Sequence, residues 1–291
     1  MKECIYCKSN SFLTISKRVR DSSKHSIIKC IKCHLVQLFP IPSSHDDKSF
    51  YNKGRQFTNI HKNFHIKTLR VNQRADTFRR ANLISKLAPK KSTILDVGSG
   101  FGFFIEEMKK RDYCPQGIEI SDFARNISQK ITKEQVFDID ILKDSIQKQY
   151  DIVTIFHVLE HLSKPVIFLK KLKKMIAKPG KLIIEVPNLN DLMVSSNISY
   201  RQFYWQRAHL LYLNKETISI LLESAGFSEY EFWYTQRYGL SNFMNWMMNN
   251  SPQIDKPTFE THGNYDWLEN LYKKELIKTG KSDTLTVVVD N

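Results

Sequence analysis

The stretch Ile94-Leu95-Asp96-Val97-Gly98-Ser99-Gly100-Phe101-Gly102-Phe103-Phe104 limits what this chain can become more than any other. Strand-like Ile94, Leu95 and Val97 meet three glycines at alternate positions, and Phe104, Ile105 and Met108 then recur at helical spacing. That order predicts strand, tight loop, helix. Glycines let the backbone turn sharply and approach a ligand with no Cβ in the way, and the helix start behind them offers free N–H groups. Such a loop is a cradle for a nucleotide-like ligand. Where a dinucleotide fingerprint needs its third glycine the chain has Phe103, which disfavours a pyrophosphate cofactor.

Gln116-Gly117-Ile118-Glu119-Ile120 predicts the next strand, and Glu119 follows the glycines by about twenty residues, where a ribose-binding carboxylate sits in such folds. The bland alternative is a glycine-rich turn followed by a solvent-facing glutamate. Taken together, Asp96 to Glu119 resemble the cofactor half of a class I S-adenosylmethionine-dependent methyltransferase. The resemblance implies a Rossmann-like α/β fold with a seven-stranded sheet and S-adenosyl-L-methionine as cofactor. By position it sets Asp96, Gly98, Ser99, Gly100 and Gly102 against the methionine end and Glu119, with Ile120 after it, at the ribose.

From Lys91 onward strands and helices alternate, which implies a parallel sheet with crossover helices. Helices are expected to about Arg111 and over Phe123–Ile131, strands over Glu134–Phe137 and Asp151–Phe156. The third strand leads to Phe137-Asp138-Ile139-Asp140; the resemblance puts an acid near the adenine amino group here, Asp140 first and Asp138 second. The fourth runs into His157-Val158-Leu159-Glu160-His161-Leu162, very similar to the Val-Leu-Glu-His-Leu run after the fourth strand of many class I methyltransferases. Phe156 and His157 are expected to line the cofactor site. Glu160 and His161 are catalytic candidates: some relatives hold a divalent ion with such residues, most use them to brace the loop, and a pair alone offers too few ligands for a metal. Next come a helix over Pro165–Ala177, a Lys178-Pro179-Gly180-Lys181 turn and a fifth strand over Leu182–Asn188. Two antiparallel strands, about 229–236 and 284–289, complete the sheet.

The N-terminal region carries a second strong pattern, Cys4-Ile5-Tyr6-Cys7 and Cys30-Ile31-Lys32-Cys33. Two Cys-x-x-Cys knuckles with 22 residues between them can bring four thiolates around one tetrahedral ion, a zinc ribbon. Four cysteines leave no open position, so this Zn2+ is structural. Phe12–Ile15 and Ile27-Ile28 are the strands that would join the knuckles, and the apolar run Cys33–Pro42 suits packing on the next domain better than reading phosphates. Two disulfides are the rival reading, weakened in a reducing compartment. Cys114, the fifth cysteine, is expected to be buried and inert.

Three regions follow: a ribbon module at 1–42, a linker and helical cap at 43–92, and a methyltransferase domain at 93–291 with acceptor-binding insertions at about 189–215 and 237–282. The cap shows helical spacing through Leu69, Val71, Ala75, Phe78, Leu83, Ile84 and Leu87 and stops at Pro89. Tyr51, ahead of it, is a candidate for the cleft. A 41% hydrophobic and 12% aromatic composition supports a full core. With no apolar run of about 18 residues and no apolar stretch after Met1-Lys2-Glu3-Cys4, the chain is expected in the cytoplasm, as a monomer or homodimer. Its net charge of +14 suits an anionic partner: a nucleotide-linked sugar, a phosphorylated glycan, nucleic acid or a membrane surface. A lysine-rich proteome would give the same excess.

The acceptor region holds Tyr200, Tyr204, Trp205, Arg207, His209 and Tyr212. Trp205 and His209-Leu210, then a helix and Ala225-Gly226-Phe227, resemble zinc-ribbon methyltransferases of deoxysugar and surface-polysaccharide modification. In the sugar C-methyltransferases of that group a Glu-His pair stands there; this chain has Ala208-His209 and a shorter C-terminal part. O-methylation needs only one positioned base, and His209 is the candidate. The resemblance therefore implies O-methylation of a sugar, nucleotide-linked or glycan, in surface-carbohydrate or secondary-metabolite biosynthesis. Sugar C-methylation, RNA methylation and a non-catalytic zinc-ribbon binding module are the rivals. Against RNA base methylation stands Glu185-Val186-Pro187-Asn188, where an Asn-Pro-Pro-Tyr-type motif is required.

Overall fold

The computed structural model describes residues 2–42, 65–144, 146–252 and 264–291; Tyr51 and most of the linker lie outside them. Eleven strands are formed among the described residues: β1 Phe12–Ser16, β2 Ser26–Cys30, β3 Val36–Phe39, β4 Thr93–Val97, β5 Cys114–Ile118, β6 Val136–Phe137, β7 Tyr150–Phe156, β8 Ile176–Pro187, β9 Leu211–Tyr212, β10 Tyr230–Thr235 and β11 Thr284–Asp290. The helices are α1 Ile66–Leu87, α2 Phe103–Lys110, α3 Asp122–Thr132, α4 Pro165–Lys174, α5 Leu192–Ser196, α6 Ile198–Tyr204, α7 Lys215–Ala225, α8 Leu240–Asn249 and α9 Asp266–Lys278.

Seven strands form one sheet in the order β10-β11-β8-β7-β4-β5-β6. β4 pairs in parallel with β5 and β7, and β11 runs antiparallel between β8 and β10. The strand order reverses at β4, with β5 and β6 to one side and β7 onward to the other. In open α/β sheets ligands sit outside the carboxyl ends of the strands at such a switch point. One sheet face, through Ile94, Ile152, Ile183 and Val288, packs under Ala81, Leu83 and Ile84 of α1 and Phe104 and Met108 of α2. The opposite face, through Leu95, Val153, Ile155, Leu182 and Ile184, packs on Phe168, Leu169 and Leu172 of α4 and Leu221 and Leu222 of α7. Strands covered on both faces must be apolar almost throughout, and these are.

Several expectations shift. The helix before the fifth strand stops at Lys174, and β8 begins at Ile176 and runs through the expected turn. Its pairing with β7 jumps from Ile176 to Lys181, so the segment containing Pro179 bulges out of the ladder, where a residue without an N–H is tolerated. β5 ends at Ile118, leaving Glu119 and Ile120 in the loop, and β8 ends at Pro187. In α1, Val71 and Phe78 face solvent; Arg74 and Arg111 lie over the Phe78 ring at 5.5 and 5.8 Å. Cys114 is exposed at the start of β5 rather than buried.

The cysteine region is not an independent bead. β1, β2 and β3 form an antiparallel sheet whose fourth strand, β9, comes from the far side of the chain: Val36 pairs with Tyr212 and Gln37 with Leu211. Buried Gln37 also reaches back, accepting from Ile5 N at 3.0 Å and donating to Glu3 O at 3.2 Å. Among the described residues no helix is long and apolar enough to cross a membrane.

Candidate active site

The glycine loop leaves β4 with Gly98, Gly100 and Gly102 at φ +74°, +54° and +77°. A side chain is strained in that region, yet the three differ in what surrounds them. A Cβ on Gly98 would come within 2.5 Å of Val158, and one on Gly102 within 2.2 Å of Ser128 Oγ. These two glycines let α3 and the turn after β7 close on the loop. A Cβ on Gly100 would meet nothing within 4 Å: this is the side open to a ligand. Gly98 N and Ser99 N donate to Ile118 O at 2.8 and 3.0 Å, tying the loop to the end of β5. Ser99 Oγ is buried without a hydrogen-bond partner among the described residues.

Glu119 completes this cradle. Its carboxylate accepts from Gly100 N and Ser121 N, both at 2.8 Å, so it is oriented by backbone rather than left to solvent. Burial raises its pKa, and those N–H groups offset part of the rise. Asp96 is buried in the ladder, accepting from Thr154 Oγ1 at 2.7 Å across β4 and β7, and burial raises its pKa to about 7. Ile120 is half exposed beyond Glu119. Asp140 closes its own turn, accepting from Leu142 N at 3.0 Å and pairing with Lys143 at 2.9 Å, while Asp138 pairs with Arg125 at 3.2 Å. Phe156 turns toward α2, edge-on to Phe104 at 5.1 Å and under Arg80 at 4.6 Å. The open Gly100, the oriented Glu119 and the buried Ser99 hydroxyl fit an adenosine-type ligand with a polar tail.

A second group gathers on the segment after β7. His157, at φ +57°, is held by Glu185 O on its N–H at 2.8 Å, and its Nδ1 donates to Glu160 Oε1 at 3.2 Å. Burial would lower the His157 pKa, but Glu160 and Glu185 raise it. Burial would raise that of Glu160; the His157 hydrogen bond and His161 instead hold it down to about 2. His161 Nδ1 donates to Ala208 O at 2.6 Å, which brings in the segment before β9 and with it His209. The His161 and His209 rings meet edge to face at 5.0 Å. Burial, with His161 beside it, drives the His209 pKa down to about 3, so it is a neutral imidazole at physiological pH. Gln206 Nε2 donates to His209 Nε2 at 3.0 Å.

Sequence reasoning missed a third group, an ion network joining α1 to the ends of β8, β10 and β11. Glu185, fully buried, takes Arg79 Nη1 at 2.7 Å and Arg80 Nη2 at 2.5 Å. Arg237 bridges Asp76 at 3.1 Å and Asp283 at 3.4 Å. A carboxylate inside the otherwise apolar run Leu182–Val186 was the available signal. Beyond it, buried Asp191 accepts from Tyr200 OH at 2.9 Å; burial, with Asp283 nearby, raises its pKa to about 7. Trp205, Tyr204 and Tyr212 pack on one another rather than standing free.

In the N-terminal sheet the four cysteine sulfurs converge within 4.8 Å of one another, Cys4 to Cys33 at 3.6 Å and Cys7 to Cys30 at 3.5 Å. None is in a disulfide. The edge of a tetrahedron with metal–sulfur bonds of about 2.3 Å is about 3.8 Å, so the donor set fits a tetrahedral ion of zinc size.

A sequence profile described as a methyltransferase domain matches residues 70–231, more than half of the chain. The chain belongs to this family, the class I S-adenosylmethionine-dependent methyltransferases. It is similar to the ubiquinone biosynthesis O-methyltransferase of Acinetobacter baylyi, 30% identical over 112 residues, which are 36% of this chain and 46% of that protein. The chain thus spans about half the length of the relatives it matches. A SAM-dependent methyltransferase from Archaeoglobus fulgidus superposes with a TM-score of 0.52 at 18% identity, covering 78% of this chain and all of the other. Magnesium protoporphyrin IX methyltransferase from Synechocystis does so at 0.55 and 11%, covering 86% and all of the other. At those identities the likeness speaks for the fold.

Proposed function

We propose that this chain transfers a methyl group from S-adenosylmethionine to a hydroxyl oxygen, most simply that of a nucleotide-linked or glycan sugar. The observation that carries it is the adjacency of two groups: Val158, which packs on Gly98 of the cofactor cradle, begins the turn that bears Glu160 and His161 against His209. The bound cofactor supplies a sulfonium-activated methyl, so the protein has mainly to align an acceptor and take its proton. Gly98, Ser99, Gly100 and Gly102 hold the cofactor's amino-acid end and Glu119 its ribose, with His157 between cofactor and acceptor and Asp140 toward the adenine. His209 is unprotonated at working pH, and its Nε2, which accepts from Gln206, takes the hydrogen bond of the acceptor hydroxyl in that amide's place. The four cysteines bind a structural Zn2+.

Sugar as acceptor is supported by the Trp205, His209-Leu210 and Ala225-Gly226-Phe227 pattern; a phenolic hydroxyl is the second reading, supported by the O-methyltransferase relatives. Calorimetry on zinc-loaded protein should show micromolar binding of S-adenosylmethionine and S-adenosylhomocysteine, and radiolabelled methyl should then pass to nucleotide sugars in preference to catechols. No cofactor binding would remove the enzyme reading. His209→Ala should lower turnover by about 100-fold or more with cofactor affinity unchanged; full turnover in that variant removes His209 from the chemistry.

A further inference from the structure

A side chain of the cysteine sheet reaches His209 through a single glutamine. Arg20 lies in the connection between β1 and β2, and its Nη2 donates to Gln206 Oε1 at 2.7 Å. Its Cζ stands over the Phe203 ring of α6, 4.1 Å from the centroid, and Arg20 N donates to Trp205 O at 2.8 Å. Backbone and side chain thus grip the same segment. On the far side of the amide, Gln206 Nε2 lies 3.0 Å from His209 Nε2 and 3.3 Å from Nδ1, so the nearer nitrogen is the acceptor. The backbone of Gln206 is fixed separately: its N–H donates to Tyr212 OH at 2.8 Å, and that hydroxyl donates to its carbonyl at 3.0 Å.

Each link in this chain has one possible direction. A guanidinium carries only donors, so the atom facing Arg20 must be the amide oxygen. With Oε1 turned to Arg20, the NH2 group faces the imidazole. That group only donates, so the ring nitrogen it meets must carry a lone pair. His209 is therefore neutral, with its proton on Nδ1 and Nε2 left basic. The surroundings work in the same direction: burial, His161, His157 and Arg20 lower the His209 pKa, while Glu160 opposes them. Without Arg20 the amide could turn over and set Oε1 against the ring. Only the other tautomer or an imidazolium can answer an oxygen there, and neither has a lone pair on Nε2.

We propose that Arg20 is a positioning residue: through Gln206 it fixes which nitrogen of His209 carries the lone pair. The cysteine sheet thereby sets the state of the base as well as holding its segment. When an acceptor hydroxyl takes the place of the amide at Nε2, Gln206 stays tethered to Arg20 by its oxygen and does not turn over. This last step rests on the methyltransferase reading; the relay from Arg20 to His209 does not.

The test is long-range proton–nitrogen NMR of the zinc-loaded full chain with isotope-labelled histidines, which reads the tautomer of each ring. His209 is recognised by the signal that His209→Asn removes. Wild type should show a neutral ring with its proton on Nδ1 between about pH 6 and 8. Arg20→Met keeps an apolar stem on Phe203 and loses the donors, so the Nε2–H form should become the major one; Arg20→Lys should keep the wild-type form, because an ammonium also only donates. Turnover should fall by about tenfold or more in Arg20→Met. S-adenosylhomocysteine affinity should stay within about threefold, which shows that the variant is folded. Gln206→Glu carries the test if Arg20→Met does not fold: a carboxylate has no N–H to give, so His209 should gain a proton on Nε2 while the bond to Arg20 is kept. A wild-type ring already protonated on Nε2 overturns the proposal. So does an unchanged His209 tautomer in a folded Arg20→Met or in Gln206→Glu. A shifted tautomer with full turnover keeps the relay and removes His209 as base; a shifted tautomer in a protein whose wild type binds no S-adenosylhomocysteine keeps the relay and removes the methyltransferase reading.

Discussion

At the scale of single residues, the loop glycines separate fold from function. Gly102 lies against α3, and Gly102→Ala forces Ser128 or Thr132 to move; overpacking of this kind costs about 1–3 kcal/mol. Thermal melting should show that loss with or without cofactor. Gly100 faces open space, so Gly100→Arg should melt within a few degrees of wild type and lose cofactor binding. If the two variants changed places, the cradle would be on the wrong side of the loop. Asp96 offers a pH prediction whose sign follows from burial. Its folded pKa, about 7, lies above its unfolded value, so between roughly pH 4 and 7 the folded state binds the extra proton and this group's contribution falls as pH rises. Asp96→Asn keeps an acceptor for Thr154 and removes the penalty. Without cofactor, the variant should gain stability relative to wild type at pH 8 and little at pH 4, with about 4 kcal/mol as an upper bound; an equal effect at both would show that Asp96 does not titrate in this range.

At the scale of elements, what local pattern encodes could be foreseen and what distant segments make together could not. Strand, glycine loop and helix around Gly98, the strand leading to Glu160 and the closing antiparallel pair all carry their own periodicity, and each formed within a few residues of expectation. β8 began early because the ladder simply loops its Pro179 segment out, a choice made by β7 and β11 rather than by the segment itself. The pairing of β3 with β9 and the meeting of His209 with His161 join residues far apart in sequence, and nothing local announces them. The same holds for α1 and β8. Arg79 and Arg80 lie partly buried on one carboxylate, so Glu185→Ala takes that carboxylate from Arg80 and leaves Arg79 with Asp76 alone. Breaking a buried pair from one side costs about 3–5 kcal/mol. Chemical denaturation of Glu185→Ala should show that loss, and a change under about 1 kcal/mol would mean that solvent already screens the network.

At the scale of the whole molecule, the cysteine sheet acts as a clamp on the segment that carries His209. Leu38 N donates to Leu210 O at 3.0 Å and Arg20 N to Trp205 O at 2.8 Å, while Asp21 accepts from Arg207 N at 2.7 Å. On its other side the segment is tied to the turn Leu159–His161 through Leu210 and Glu160. The cofactor cradle, by contrast, is built from β4, β5, α3 and the turn after β7, and the hydrogen bonds that hold Gly98, Ser99, Gly100 and Glu119 come from outside residues 2–42. With the proposed Zn2+ on its four cysteines, a small sheet of this size would draw much of its folding energy from the metal. Loss of the ion should therefore release the acceptor side and spare the cofactor side. In a Cys7→Ser, Cys33→Ser double variant, zinc content should fall, the amides of Leu38 and Leu210 should exchange at least about tenfold faster, and turnover should drop in step. Protection of Gly98 and Ser99 and affinity for S-adenosylhomocysteine should stay unchanged. If cofactor affinity falls in parallel with zinc, the sheet supports the whole fold and the division between a clamp and a cradle is wrong; if Leu38 stays protected without zinc, its bond to Leu210 O holds without the ion and the clamp does not depend on metal.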